Sequence, residues 1–230
     1  MKGGNSGERV VIRWLGHSCF RIVFWSDGQE IAVITDPFRK GMGYTDVSVQ
    51  ADVVTISHGH SDHDQVAGVL GDPLILRGLT EDGHWASVDE TVGPVRFTVV
   101  GAYHDPDQGA RRGRNACFVM KGAGLTLVHL GDLGHIPDPD TVNQLSNADV
   151  LLVPVGGYFT IGPAEALQVV SLLRPKISMP MHYKTPAIRD WPIKTADEYL
   201  AGSGVVRHMG EAVLKVGLLP DEPEVWVLEY

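Results

Sequence analysis

Short runs of β-branched, aromatic and aliphatic residues recur along the chain, each closed off by Gly, Pro, Asp or Asn, and this punctuation predicts strands. The runs 9–15 (RVVIRWL), 18–25 (SCFRIVFW) and 31–35 (IAVIT) open the chain with antiparallel strands, the last two joined through SDGQE as a hairpin. Further strands are expected over 52–57, 95–100, 116–120, 125–130, 149–153 and 176–179. Helical spacing is rarer. It is clearest over 163–173 (PAEALQVVSLL), where Pro163 suits a first turn, with shorter candidates at 64–71, 139–147 and 195–201. A mixed α/β chain with sheet predominating follows. Glycine punctuates evenly, without a linker or low-complexity tract, so one domain over residues 1–230 is expected, in two strand-rich halves meeting near residues 105–115.

At 230 residues and 43% apolar content the chain can bury a sizeable core without a structural metal, so a metal found here would be functional. A net charge of −9 makes nucleic acid an unlikely partner. Cys19 and Cys117 stand far apart in apolar stretches and read as reduced core residues; whether they meet is left open. No leader-like run stands near the N-terminus and no stretch is apolar enough for a membrane span, so a cytoplasmic location is the expectation.

The ten histidines change the picture, because most stand where a predicted strand ends. Directly after DVVTIS comes Ser57-His58-Gly59-His60-Ser61-Asp62-His63-Asp64. In an extended segment His58 and His60 project to one side, and the following turn can return Asp62 and His63 toward them. Imidazole nitrogens and carboxylate oxygens at ~2.0–2.2 Å are what zinc and related divalent ions require. His104, Asp132 and His182 end strand-like runs in the same manner.

The order HxHxDH, a lone His, Gly-Asp and a last His resembles the metallo-β-lactamase superfamily from about Val11 to Lys184. The stretches WLGHSCF, TDPF, SHGHSDHD, YHDP, RGRN, HLGDLGH, PVGGYFTIGPAEA and PMHYKT look most like its largely uncharacterised metal-dependent hydrolases, near the ascorbate-lactone hydrolases and acylethanolamide phospholipases. The resemblance implies a four-layer αβ/βα sandwich, two mixed β-sheets with outer helices and the site at one edge. It also implies two divalent ions, zinc first, with manganese or iron also suited to the donors. His58, His60 and His104 would hold one ion, Asp62, His63 and His182 the other, and Asp132 would bridge them.

Around this set, Asp36, Asp64, His17 and His129 are candidates for orienting the ligands, and Asp62 and His135 for carrying protons. His84 and His208 read as surface or loop residues. Arg111, Arg112 and Arg114 form the one dense basic cluster, and Arg112, Arg114, Asn115, Tyr158 and Lys184, with Tyr183 beside it, are candidate contacts to a small, anionic substrate. The leading expectation is a hydrolase of a small ester, lactone or phosphodiester. The alternatives are a nuclease, an iron-dependent oxidoreductase and a non-catalytic metal- or ligand-binding module.

Overall fold

The computed structural model describes residues 7–230, so the first six residues, part of the stretch read for a leader, lie outside it. Strands β1 (Arg9–Gly16), β2 (Cys19–Ser26) and β3 (Gln29–Thr35) are antiparallel neighbours. Asp27 and Gly28 join the last two with φ of 51° and 76°, the two left-handed positions that a tight hairpin matching strand twist requires. Two parallel strands extend this sheet, β4 (Val53–Ile56) and β5 (Leu74–Arg77). On its other edge β1 pairs with β13 (Ala212–Leu214).

The second sheet takes β6 (Asp89–Val92), β7 (Val95–Tyr103), β8 (Arg114–Gly122) and β9 (Leu125–His129) as an antiparallel meander. It continues in parallel through β10 (Val150–Pro154), β11 (Ile177–Met181), β14 (Glu224–Leu228) and β12 (Val205–Met209). Every residue of β10 and β11 is buried, as expected of central parallel strands covered on both faces.

Between the sheets, Ile12, Phe20 and Phe24 of the first pack with Phe97, Phe118 and Leu152 of the second. The outer face of the second sheet buries Val119, Val128 and Leu151 against α1 (Pro139–Leu145), α2 (Pro163–Leu173) and α3 (Asp197–Ala201). Asp138 caps α1 through Thr141 N, and the Glu165 carboxylate accepts the Gly162 N–H at the start of α2. These are the layers of an αβ/βα sandwich. Over the first sheet the outer layer is thin, built from Phe38, Met42, Tyr44 and Val47 and from the 3₁₀ turn at Pro186–Ile188.

Two expectations need correction. Only Val66–Gly68 of the stretch 64–71 is helical, as a 3₁₀ turn. Gln65 N bonds to Pro37 O and Leu70 N to Val49 O, so backbone donors go to the neighbouring loop instead of an i−4 carbonyl. The sheets change over between β5 and β6, whereas residues 105–113 merely join the neighbours β7 and β8. Among the described residues, no helix is long and apolar enough to cross a membrane.

Candidate metal centre

Loops beyond the C-terminal ends of β3, β4, β7, β9 and β11 converge on one buried point, joined by the β1–β2 turn that carries His17. Asp132 stands at its middle. Its Oδ2 lies 3.2 Å from the Nε2 atoms of His63, His104 and His182 and 4.0 Å from that of His58. Two groups flank it, each with donor atoms within 4.8 Å of one another: His58, His60 and His104 on one side, and Asp62, His63, His182 and His17 on the other. His58 Nε2 is 3.0 Å from His60 Nδ1, and Asp62 Oδ2 is 3.3 Å from His17 Nε2.

These separations suit a cation. Ligand atoms held at ~2.0–2.2 Å around one tetrahedral ion stand ~3.3 Å apart. His63 Nε2, both ring nitrogens of His182 and Asp132 Oδ1 are buried without a well-aligned hydrogen bond, an unusual state for polar atoms that a bound ion would relieve. The proton balance suits it too. Burial, reinforced by neighbouring imidazoles, pushes His58 well below its ordinary pKa and His17 down to about 3. Burial lowers His63 as well, but the Asp132 and Asp36 carboxylates outweigh it and hold it well above the ordinary value. For Asp132 burial acts upward, and the charges of His182 and His63 override it to keep the carboxylate ionised. His58 and His17 are therefore neutral imidazoles beside an ionised carboxylate, the donor state that ligation needs, whereas His63 carries a proton that an incoming cation would displace.

Asp36 organises the next ring of contacts. One oxygen accepts the Ser57 N–H at 2.7 Å; the other accepts the Ser57 hydroxyl at 2.6 Å and His63 Nδ1–H at 2.9 Å. Ser57 Oγ in turn lies 2.9 Å from His58 Nδ1 and accepts its proton, so one carboxylate turns the Nε2 atoms of two imidazoles inward. A serine preceding the first histidine carries no recognisable pattern, and sequence reasoning passed over it. Asp64, the other candidate for this place, instead accepts Gln65 Nε2. His17, Asp36 and His182 adopt φ of 52°, 38° and 51°, left-handed values that cost non-glycine residues energy and tend to concentrate at functional sites.

Several candidates take other places. Asn115 is fully buried, its Oδ1 accepting Asp132 N–H at 2.9 Å while its Nδ2 donates to Leu130 O, so it props the Asp132 turn and is closed to substrate. His129 serves the same turn, Nε2 donating to Ser18 O and Nδ1 accepting Gly131 N–H. His135 accepts Tyr103 N–H at Nε2 and donates to Ile136 O from Nδ1, so both ring nitrogens are engaged with backbone and neither is free to relay a proton. Tyr158 is exposed with its ring against Phe159, Tyr183 packs on Trp14, and the Lys184 backbone N–H bonds to Lys194 O; none of them lines the cavity beside the cluster. His84 and His208 are not part of the cluster.

That cavity has a volume of about 260 Å³, with His60, Asp62, His104 and Asp132 facing Phe159, Trp191 and Arg112. The backbone under Arg112 is pinned by Asp105, whose oxygens accept the N–H groups of Asp107, Gly109, Arg111 and Arg112 at 2.7–3.1 Å. Burial raises the pKa of Asp105, but these donors prevail and hold it below the ordinary carboxylate range. Asp105→Asn turns one acceptor into a donor facing N–H groups, at a cost of ~1–3 kcal/mol to the loop. Amide exchange over 107–112 should accelerate by at least tenfold while the rest of the chain stays protected; uniform protection would show that the loop does not depend on this carboxylate.

The chain matches the model of the beta-lactamase superfamily domain over residues 11–182. A metal-dependent hydrolase of Desulforamulus reducens is 30% identical over 214 residues, covering 81% of this chain and 87% of the relative. One from Thermococcus onnurineus is 32% identical over 209 residues, covering 82% and 88%. The crystal structure of a Thermotoga maritima protein of the metallo-β-lactamase superfamily is 34% identical and aligns with a TM-score of 0.71 over 96% of this chain and 98% of that one. A metallo hydrolase of Ignicoccus hospitalis, 21% identical, shares the fold with a TM-score of 0.59 over 90% of this chain and 99% of its own.

Proposed function

The chain belongs to the metallo-β-lactamase superfamily and is a metal-dependent hydrolase, and we propose that it cleaves an ester, lactone or phosphodiester of a small substrate at a dinuclear divalent-metal centre. The observation that carries this reading is a buried carboxylate, Asp132, placed between two groups of imidazole and carboxylate donors. In it His58, His60 and His104 would hold one ion and Asp62, His63 and His182 the other, with the Asp132 carboxylate supplying negative charge between the two groups. Nitrogen and oxygen donors without thiolate suit zinc, as expected also of the zinc-dependent hydrolase of Thermotoga maritima that this chain resembles, and manganese or iron fit the same set.

Bound divalent ions supply Lewis acidity, lowering the pKa of water toward ~7 and stabilising negative charge on the substrate oxygen. The protein supplies position. Asp62, its side chain 22% exposed at the cavity wall and its Oδ2 held by His17 Nε2, accepts the proton of the attacking water. Phe159 and Trp191 keep the opposite wall apolar and limit bulk water at the reacting centre. The net charge of −9 weighs against a polynucleotide substrate, and the two buried free thiols suit a reducing, cytoplasmic compartment.

The test is elemental analysis of protein purified without added metal, paired with chromogenic phosphodiesters and lactones assayed before and after chelation. Two equivalents of zinc per chain are expected, with chelation cutting turnover at least ~100-fold and reloading restoring it. Iron that cycles between redox states without hydrolysis would replace this reading with an oxidoreductase. Metal without turnover of any kind would leave a binding module.

A further inference from the structure

We propose that the substrate carries an oxyanion, carboxylate or phosphate, which Arg112 binds while a flat apolar part of the same molecule lies against Phe159 and Trp191. This rests on the hydrolytic reading above and adds the substrate class to it.

The three neighbouring arginines differ in what already occupies them. Arg111 forms an ion pair with Asp107 at 2.5 Å. Arg114 donates from Nη1 to Gly83 O at 2.8 Å, and its guanidinium lies 5.0 Å over the Trp85 ring, so one donor and its flat face are engaged, and it does not line the cavity beside the cluster. Arg112 has no carboxylate at ion-pair distance among the described residues, and its guanidinium carbon stands 5.7 Å from the Phe159 ring centre at the cavity mouth. It also lines a neighbouring groove of about 500 Å³ together with His58 and His60, so it stands where the two spaces adjoin. Below it, the Asp105 carboxylate fixes the backbone, which lowers the entropy lost when the side chain closes on a ligand. A guanidinium with free paired donors beside a hydrolytic cluster is built for bidentate contact with an oxyanion.

The other wall sets the rest of the molecule. The Phe159 and Trp191 rings stand 5.9 Å apart at 72°, and Trp191 packs 5.3 Å from His17. Phe159 is held by its N–H bond to Gly157 O at 2.8 Å, beside Tyr158 with φ of 63°. An aromatic corner between an arginine and the cluster accepts a flat apolar group. At about 260 Å³ the cavity is smaller than most drug-sized sites, which keeps that group small.

Calorimetric titration of the zinc-loaded protein with 3-phenylpropionate, benzylphosphonate and neutral 3-phenylpropan-1-ol tests the proposal. At least one anion should bind ~10–100-fold more tightly than the alcohol, and the tighter of the two distinguishes carboxylate from phosphate chemistry. In Arg112→Ala the preference should fall at least ~10-fold, Arg112→Lys should restore part of it, and Arg114→Ala should leave it intact. Equal binding of anion and alcohol in the wild type would overturn the proposal. So would a preference that survives Arg112→Ala, since the bound zinc would then account for it. The matched neutral and carboxylated 4-nitrophenyl esters, run beside the chromogenic phosphodiesters and lactones above, report separately on catalysis: an Arg112-dependent preference without turnover of any of these substrates keeps the anion site and removes the proposed ester, lactone or phosphodiester cleavage.

Discussion

Asp132→Asn should lower kcat/KM by ~10³-fold or more and remove at least one equivalent of metal from a chain that still folds. The substitution keeps the shape and the backbone contact to Asn115, so the change isolates charge. Three imidazole nitrogens at 3.2 Å and a fourth at 4.0 Å face this carboxylate, and an amide there presents either a neutral oxygen or an N–H group to atoms that need an anion among them. Loss of an electrostatic partner in a dry site costs ~2.7–4 kcal/mol of transition-state stabilisation, or ~10²–10³ in rate, before depletion of metal adds to it. Metal stoichiometry, steady-state kinetics and far-UV circular dichroism on one preparation check the result. Two equivalents of metal and an unchanged rate would remove Asp132 from the centre of the site.

The second large effect falls on stability. Asp36→Ala leaves the Ser57 N–H, the Ser57 hydroxyl and His63 Nδ1–H without their acceptor in a fully buried place. Breaking a buried charged network costs ~3–5 kcal/mol. For a chain of this size that lowers Tm by roughly 10 °C. Metal affinity should also fall ~10–100-fold, because His58 and His63 lose the contacts that orient them. Thermal denaturation with and without zinc separates the two effects. Ser57→Ala, which spares the His63 link, should cost markedly less, and equal losses from both substitutions would mean that Asp36 acts on Ser57 alone.

Legibility in the sequence followed physical constraint. His58, His60, Asp62 and His63 stood out because nitrogen and oxygen donors packed at such short spacing after a strand seldom serve any purpose but ligation. His104, Asp132 and His182 needed the order of motifs, since any one of them is also an ordinary residue at a strand end. The structure brings all seven to one point. What escaped were roles set by single hydrogen bonds, most of them to backbone: Ser57 under His58, Asp105 under the arginine loop, Asn115 and His135 turned away from substrate. No periodicity encodes such bonds.

Among strands, β5, β6, β12, β13 and β14 were missed, and four of these form the edges of the two sheets. An edge strand buries little, and β6 and β12 have no fully buried residue, so polar side chains interrupt the pattern that makes central strands visible.

The position of β13 bears on how the molecule comes to be made. Its Leu214 lies beside Val10, and the next strand in sequence, β14, returns to the other sheet and pairs with β11, just ahead of His182. A ribosome therefore finishes β1 long before the partner for its free edge exists. Until the chain beyond Met209 is made, the nascent protein exposes an unpaired strand edge on each sheet, and the loop bearing His182 is anchored from one side only. Contacts so distant in sequence close slowly, which makes the interval before their formation the time at which the newborn chain is most open to aggregation and most in need of a chaperone.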